Sequence, residues 1–239
     1  MQVEILIQLT SGTAITGRSN FGVETFNGIP YADPPTGSLR LRPPQKLSRI
    51  LDKVDGTGIA AACPQLLVSP ADKNIISNIG GRSSKSTKPG EKLPVRFWIY
   101  GGGFVLGSTN TFDGTRLVRE GVANKQPFTF VAVNYRVGGF GFMTGSDILN
   151  EGSANAGLLD QRMGLEWVAD NINQFGGGPD KVTLRGESAG SMSVFYQMAL
   201  YGGNATYKGK PLFRGGIMNP GTALSAEPIG GPKGQATYK

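Results

Sequence analysis

Short apolar blocks alternate with segments of helical spacing through the middle of the chain. Four blocks have the length and composition of buried strands, and they cover 95–100, 128–134, 181–185 and 213–219. The segments predicted as helices cover 114–123, 155–173 and 189–201. In the second of these, Leu158, Leu165, Val168 and Ile172 fall on one helix face. Strands that alternate with helices predict the α/β class, a mainly parallel sheet with helices on both faces.

The segments outside this region have other patterns. The first 26 residues alternate loosely around a Ser11-Gly12 turn, which predicts a short β-ribbon. Residues 28–47 are rich in proline and are predicted to be irregular. Residues 64–93 are polar and rich in Ser, Lys and Gly, so we expect a long loop, and 220–239 is predicted to be a frayed tail. The whole of 1–239 is predicted to be one domain.

Composition and charge exclude several classes of protein. The chain has 239 residues, 38% of them hydrophobic, which is typical of a globular protein, and no apolar run is long enough for a membrane span. The net charge of +7 is spread along the chain without interleaved aromatics, so we expect no nucleic-acid partner. With no His and one Cys, we expect neither a metal nor another cofactor. The N-terminus lacks the basic region of a signal peptide, which leaves the compartment open.

The segment Gly186-Glu187-Ser188-Ala189-Gly190 has the G-x-S-x-G pattern of a nucleophile elbow. It follows a predicted strand and opens a predicted helix, which is the setting that exposes such a serine at a sharp turn. A side chain at either terminal glycine is expected to clash, because strand and helix nearly touch there. The alternative is a glycine-rich turn in which the serine only caps the helix.

A second glycine cluster, Gly101-Gly102-Gly103, directly follows the predicted strand 95–100. Glycine frees the backbone, so its N–H groups can point into a cavity and stabilise an oxyanion. The N–H of Ala189, next to the serine, is the second candidate donor. The alternative is a nucleotide-binding loop, but the segment does not fit G-x-G-x-x-G and no helix clearly opens there.

Several blocks of the sequence, in this order, resemble the N-terminal half of the type-B carboxylesterase/lipase family, and most closely its fungal lipases of the Candida rugosa and Geotrichum type. The blocks are 28–32, 34–35, 39–40, 98–104, 134–137, 155–158, 160–162, 167–168, 171–172, 175–177 and 186–190. The resemblance implies an incomplete α/β-hydrolase fold and the hydrolysis of small-molecule or lipid carboxylic esters. The family is typically secreted.

Carried over to this sequence, the resemblance implies that Ser188 is the nucleophile and that Gly102, Gly103 and Ala189 provide the oxyanion-hole donors. Glu187 matches the family's glutamate beside the serine, which is not the triad acid. The family's triad acid and histidine lie well downstream of the serine, and neither is present in this sequence. A serine without its base is a weak nucleophile, so the chain alone is expected to be inactive or very weak. The alternative is a non-catalytic binding module, or pseudoenzyme, on a hydrolase fold.

Two further departures from the family concern the core. The resemblance implies a strand before the glycine-rich strand, with a cysteine that pairs with the one at Cys63. Residues 64–93 show neither, so that strand is expected to be missing, the family's lid region to be degenerate and Cys63 to be an unpaired, half-buried thiol. Arg185 occupies a strand position where the family usually has a large apolar residue. A charge there is costly unless it is paired.

Overall fold

Strands and helices alternate along most of the chain, which the computed structural model describes over residues 3–20, 22–65, 78–84, 90–221 and 228–238. The strands are β1 (Val3–Gln8), β2 (Ala14–Asn20), β3 (Val23–Pro30), β4 (Lys53–Asp55), β5 (Asn78–Ser84), β6 (Leu93–Ile99), β7 (Thr129–Val133), β8 (Gly177–Glu187), β9 (Thr206–Tyr207), β10 (Lys210–Pro211) and β11 (Gly215–Asn219). The helices are α1 (Thr115–Ala123), α2 (Gly139–Phe142), α3 (Ser146–Asn150), α4 (Ala156–Asn171), α5 (Ala189–Ala199) and α6 (Pro232–Tyr238).

One mixed sheet forms the centre of the described chain. Its order is β1-β2-β3-β5-β7-β6-β8-β11, with β4 parallel to β2. The strands from β1 to β7 in this order are antiparallel to their neighbours, and β7, β6, β8 and β11 are parallel. All five residues of β7 are buried, as expected for a strand covered on both faces. The α/β prediction and the predicted N-terminal ribbon are both confirmed.

The main helices pack on opposite faces of the sheet. On one face, Val118 of α1 packs with Phe128, Phe130 and Trp98. On the other face, α4 and α5 share a core with β6, β7 and β8. The predicted helical face is confirmed, because its four residues are all buried: Leu158, Leu165, Val168 and Ile172. Because β6 and β8 are parallel neighbours, their carboxyl ends lie at the same edge of the sheet.

The expectation that a strand is missing from 64–93 is wrong for 78–84. There β5 pairs antiparallel with both β3 and β7, so its backbone groups are bonded on two sides. Its sequence is polar and glycine-rich, and Gly80 lies against the backbone and side chain of Asn27, where a larger residue is crowded. The backbone pairing with β3 and β7 thus orders this segment as a strand, although its amino-acid composition does not favour one. The remainder of the predicted lid region, 66–77 and 85–89, lies outside the described residues.

The expectation of a frayed tail over 220–239 also differs from the structure. Helix α6 packs beside α3, where the side chain of Gln235 accepts hydrogen bonds from the backbone N–H (3.0 Å) and the hydroxyl (2.9 Å) of Ser146. The Ile229 carbonyl accepts a third bond from the N–H of Gly145 at 3.1 Å. These contacts join the segment to the start of α3. Residues 222–227 lie outside the described chain.

Candidate active site

Strand β8 ends at Glu187 and helix α5 begins at Ala189, so Ser188 alone makes the turn between them. Its backbone has φ +54° and ψ −123°, a strained conformation for a residue with a side chain. The side chain is exposed at the edge of the sheet. The strand–turn–helix setting predicted for the G-x-S-x-G segment is present.

The two terminal glycines of this elbow allow the strand and the helix to meet. A Cβ atom on Gly186 would lie 2.2 Å from the carbonyl group of Gly190. A Cβ atom on Gly190 would lie 2.1 Å from the carbonyl oxygen of Ile99, at the end of β6. Contacts this short with backbone atoms cannot be relieved by moving a side chain. The close approach that the sequence predicted for both glycines is therefore observed.

Backbone bonds from β11 hold the elbow in place. The N–H of Ser188 donates to the carbonyl oxygen of Pro220 at 2.8 Å. The hydroxyl of Ser191, in the first turn of α5, donates to the carbonyl oxygen of Gly186 at 2.8 Å and accepts from the N–H of Asn219 at 2.8 Å. Ser191 is fully buried. Sequence reasoning missed this residue, because its partner Asn219 lies 28 positions away.

The glycine-rich loop after β6 lies directly against the elbow. A Cβ atom on Gly101 would lie 2.7 Å from the carbonyl oxygen of Glu187 and 2.9 Å from the Cβ of Ser188. Gly102 and Gly103 both have positive φ, +110° and +63°, which glycine adopts without strain. Among the described residues, neither of their N–H groups has a hydrogen-bond acceptor. The N–H of Ala189 belongs to the first turn of α5, where no intrahelical acceptor exists.

A buried layer beneath the loop fixes its starting point. The Tyr100 and Tyr135 rings stack with centroids 4.4 Å apart, and the Tyr135 hydroxyl donates to the Tyr100 carbonyl at 2.8 Å. The next residue, Arg136, is buried and binds both carboxylate oxygens of Asp160, at 2.7 and 2.8 Å. This pair ties the end of β7 to α4. Sequence reasoning assigned no role to either residue of the pair.

Cys63 lies beside the same layer and is a free thiol, 2% exposed, so it is fully rather than half buried. Burial raises the pKa of this thiol to about 12, and the nearby Asp160 carboxylate acts in the same direction. The thiol is therefore protonated and unreactive in the folded chain.

The described residues contain no ready proton acceptor of the usual kind for Ser188. Histidine is absent from the sequence. Glu187 is exposed, and its carboxylate lies beside Gly101.

Within the described residues, no group of three or more Cys, His, Asp or Glu could hold a metal ion. The longest helix there, α4, has 16 residues, and none combines the length and apolarity needed to cross a bilayer.

Known proteins resemble the chain in sequence. A secreted triacylglycerol lipase of Gibberella zeae is 53% identical over 98% of the chain and 44% of its own length. Lipase 4 of Diutina rugosa is 42% identical over 96% of the chain and 46% of its own length. Lipase 1 of Geotrichum candidum is 43% identical over 90% of the chain and 44% of its own length. The chain thus spans less than half the length of these relatives.

Solved structures give the same result for the fold. A PNB esterase has a TM-score of 0.77 and 35% identity over 90% of this chain and 44% of its own. EstA of Aspergillus niger has a TM-score of 0.78 and 36% identity over 90% of this chain and 41% of its own. The incomplete α/β-hydrolase fold expected from the resemblance is confirmed. The model of the Carboxylesterase family matches residues 4–237, and the chain belongs to that family.

Proposed function

We propose that the chain is the nucleophile-bearing part of a carboxylic ester hydrolase that acts through an acyl-enzyme on Ser188. The observation that carries this proposal is the strained serine at a sharp strand-to-helix turn, packed against a loop of three glycines. Nucleophilic serines of hydrolases are exposed by this kind of turn. The substrates are small-molecule or lipid esters, in keeping with the lipases and esterases that the chain resembles.

In the proposed reaction, the Ser188 oxygen forms a bond to the ester carbonyl carbon and the carbonyl oxygen becomes an oxyanion. The N–H groups of Gly102, Gly103 and Ala189 stabilise this oxyanion. Gly102 and Gly103 directly follow Gly101, which lies against Ser188, and Ala189 is the residue after the serine. None of the three N–H groups has an acceptor among the described residues. The bond to the alcohol oxygen then breaks, the alcohol leaves with the proton that Ser188 gave up, and an ester remains on Ser188. Water hydrolyses that ester, releasing the acid and restoring the serine. No cofactor takes part.

The proton of Ser188 has to leave during the first step, and the sequence holds no histidine to accept it. In subtilisin, loss of the triad histidine lowers kcat by about 10⁶-fold, equivalent to about 8 kcal/mol of barrier. We therefore propose that residues 1–239 form one partial α/β-hydrolase domain, with ester hydrolysis near background for these residues alone. The proton acceptor belongs to the part of the fold that the relatives have and this sequence does not contain.

A chimera tests the proposal. This chain replaces the matching 44% of the Gibberella zeae lipase, so that the rest of the lipase supplies the other half of the fold. We expect hydrolysis of a p-nitrophenyl ester by the chimera, and a loss of at least about 10³-fold in its Ser188→Ala variant. The matched control is Ser48→Ala, an exposed serine that is distant in sequence.

A cooperative thermal transition shows that each chimera is folded. A folded chimera with no hydrolysis above its Ser188→Ala variant contradicts the proposal and favours the binding module. That alternative is favoured by one observation, the absence of histidine. Stoichiometric labelling of Ser188 by a fluorophosphonate in the chimera rules out the binding module, because a serine without a catalytic role is not expected to react with this reagent.

A further inference from the structure

The segment between helix α5 and strand β11 contains the one N-linked glycosylation motif of the sequence. Asn204-Ala205-Thr206 is an Asn-x-Thr triplet whose middle residue is not proline, and no other Asn-x-Ser or Asn-x-Thr triplet occurs in the 239 residues. We call the segment 201–206 the sequon loop. Such a triplet accepts carbohydrate where it lies in a surface loop, so its place in the fold matters.

The side chain of Asn204 is exposed, and its amide nitrogen is unused. The carboxamide oxygen of Asn204 accepts hydrogen bonds from the backbone N–H of Thr206 at 3.0 Å and from the hydroxyl of Thr206 at 2.6 Å. Thr206 is also exposed, and Nδ2 of Asn204 has no hydrogen-bond acceptor among the described residues. Since a glycan is attached to Nδ2, carbohydrate at this position breaks no hydrogen bond of the described chain.

The backbone of the sequon loop is held from within the chain. Arg162, a buried residue of α4, donates to the carbonyl oxygen of Asn204 at 3.2 Å and to that of Thr206 at 2.9 Å. Both bonds engage backbone oxygens only. The loop is therefore fixed to α4 without any use of the Asn204 side chain.

The sequon loop lies at the edge of the sheet opposite Ser188. Helix α5 begins directly after Ser188 at the carboxyl end of β8, and the sequon loop follows the last turn of α5 and leads back to the start of β11. Because β8 and β11 are parallel, the start of β11 is at the amino-terminal edge. The eleven residues of α5 span about 16 Å. A glycan on Asn204 therefore leaves the approach to Ser188 open.

An exposed aromatic ring belongs to the same loop. Tyr201 is 64% exposed, and its carbonyl oxygen accepts from the N–H of Asn204 at 3.3 Å, so the two residues are the ends of one four-residue turn. The guanidinium carbon of Arg162 lies over the Tyr201 ring, 5.6 Å from its centroid. With Arg162 on one face and most of the side chain in solvent, the opposite face of the ring is open.

We propose that Asn204 carries an N-linked glycan whose first sugar packs on the open face of the Tyr201 ring. Nδ2 of Asn204 forms a bond to the anomeric carbon of a lipid-linked oligosaccharide. The bond from that carbon to the diphosphate of the lipid breaks, and the amide gives up one proton. The C–H groups on one side of the sugar then lie against the aromatic face, and the sugar hydroxyls stay in water.

The proposal does not depend on the chemistry at Ser188. It requires passage of the protein through a secretory compartment, where lipid-linked oligosaccharides are transferred. The lipase of Gibberella zeae, to which the chain is 53% identical, is named as a secreted protein.

Occupancy is measured on the native protein, isolated with an antibody against residues 1–239. Trypsin releases residues 186–208 as one peptide, and this peptide contains the whole triplet. We expect the unmodified mass of the peptide to be absent from most molecules. Treatment with peptide N-glycosidase is expected to yield the peptide with aspartate in place of Asn204. A peptide that is unmodified in most molecules before this treatment overturns the proposal.

Variants show which groups the modification needs. They are made in the chimera with the Gibberella zeae lipase, secreted from yeast, and the same peptide is analysed. Asn204→Gln and Thr206→Ala are each expected to abolish the carbohydrate, because one removes the acceptor and the other the hydroxyl. The matched control is Thr206→Ser, which keeps a hydroxyl and is expected to remain glycosylated. Carbohydrate that persists on this peptide in Asn204→Gln contradicts the assignment.

The ring contact is tested by thermal unfolding of the same chimeras after an endoglycosidase has trimmed each glycan to its first sugar. The increase in Tm due to the sugar on Asn204 is the difference from the equally treated Asn204→Gln chimera, so any other glycan cancels. We expect Tyr201→Ala to lose at least about half of this increase and Tyr201→Phe, which keeps the ring, to retain it. Equal increases in all three backgrounds overturn the ring contact. If Tyr201→Ala does not fold, Tyr201→Gly replaces it, because glycine suits the φ of +55° at this position.

Discussion

At the scale of single residues, the absence of a side chain on Gly190 allows the turn from β8 into α5. A Cβ atom on Gly190 would lie 2.1 Å from the Ile99 carbonyl oxygen and 3.0 Å from the Tyr100 carbonyl carbon. Because both contacts are with backbone, we expect Gly190→Ala to lower the free energy of unfolding by about 2–3 kcal/mol. Urea unfolding measures the loss. The control is Gly58→Ala, which meets no atom within 4 Å and is expected to change stability by less than about 0.5 kcal/mol. Equal effects of the two contradict the steric account.

Cys63 makes stability depend on pH above the neutral range. Its pKa is raised from the ordinary 9.0 to about 12 in the folded chain, so only the unfolded chain ionises this thiol between these values. Stability from this group is full below pH 9 and is lost as pH rises toward 12. At about 1.4 kcal/mol per pH unit, the loss at pH 11 is about 2–3 kcal/mol.

The variant Cys63→Ala is expected to lose less stability than the unmodified chain between pH 8 and pH 11, measured by urea unfolding at each pH. It retains some loss, because burial also raises the pKa of Tyr100 and Tyr135. Superimposable pH profiles of the two proteins contradict the prediction. A thiol reagent provides a check, since at pH 8 it is expected to react with Cys63 only after unfolding.

At the scale of elements, a single hydroxyl joins β8, α5 and β11. Ser191 bonds the Gly186 carbonyl and the Asn219 N–H, both at 2.8 Å, from a fully buried position. Ser191→Ala leaves both backbone groups without these partners, and we expect a loss of about 1–3 kcal/mol in urea unfolding. The control is Ser48→Ala, whose side chain is exposed. A loss no larger than the control's contradicts the assigned role.

The sequence predicts an element well where the signal is local. The elbow follows from five adjacent residues, and α4 follows from four apolar positions on one face, so both are found where expected. Strand β5 was missed, because its glycines and serines carry no strand signal and its order comes from pairing with β3 and β7. Ser191 and the Arg136–Asp160 pair were missed for the same reason, since their partners are distant in sequence.

At the scale of the whole molecule, β11 is an edge strand of the described sheet, and the side of β11 that faces away from β8 has no neighbouring strand there. This strand pairs only with β8 among the described residues, and its Ile217 and Met218 are 43% and 41% exposed. An open apolar edge recruits strands from other chains, and natural sheets commonly prevent this with a lysine. We therefore expect the isolated chain to associate through the open edge of β11, and a substitution on this strand to change that association.

Met218→Lys is accordingly expected to slow the aggregation of the isolated chain on mild heating by about threefold or more, as followed by light scattering. Thermal unfolding of each protein is measured alongside, so that a change in stability is not mistaken for an effect on the edge. The matched control is Ile59→Lys, which adds the same charge to a loop residue that is 84% exposed. Since this residue lies outside any strand, its substitution is expected to have little effect. If both lysines slow aggregation equally, net charge rather than the β11 edge governs association, and the edge has no special role.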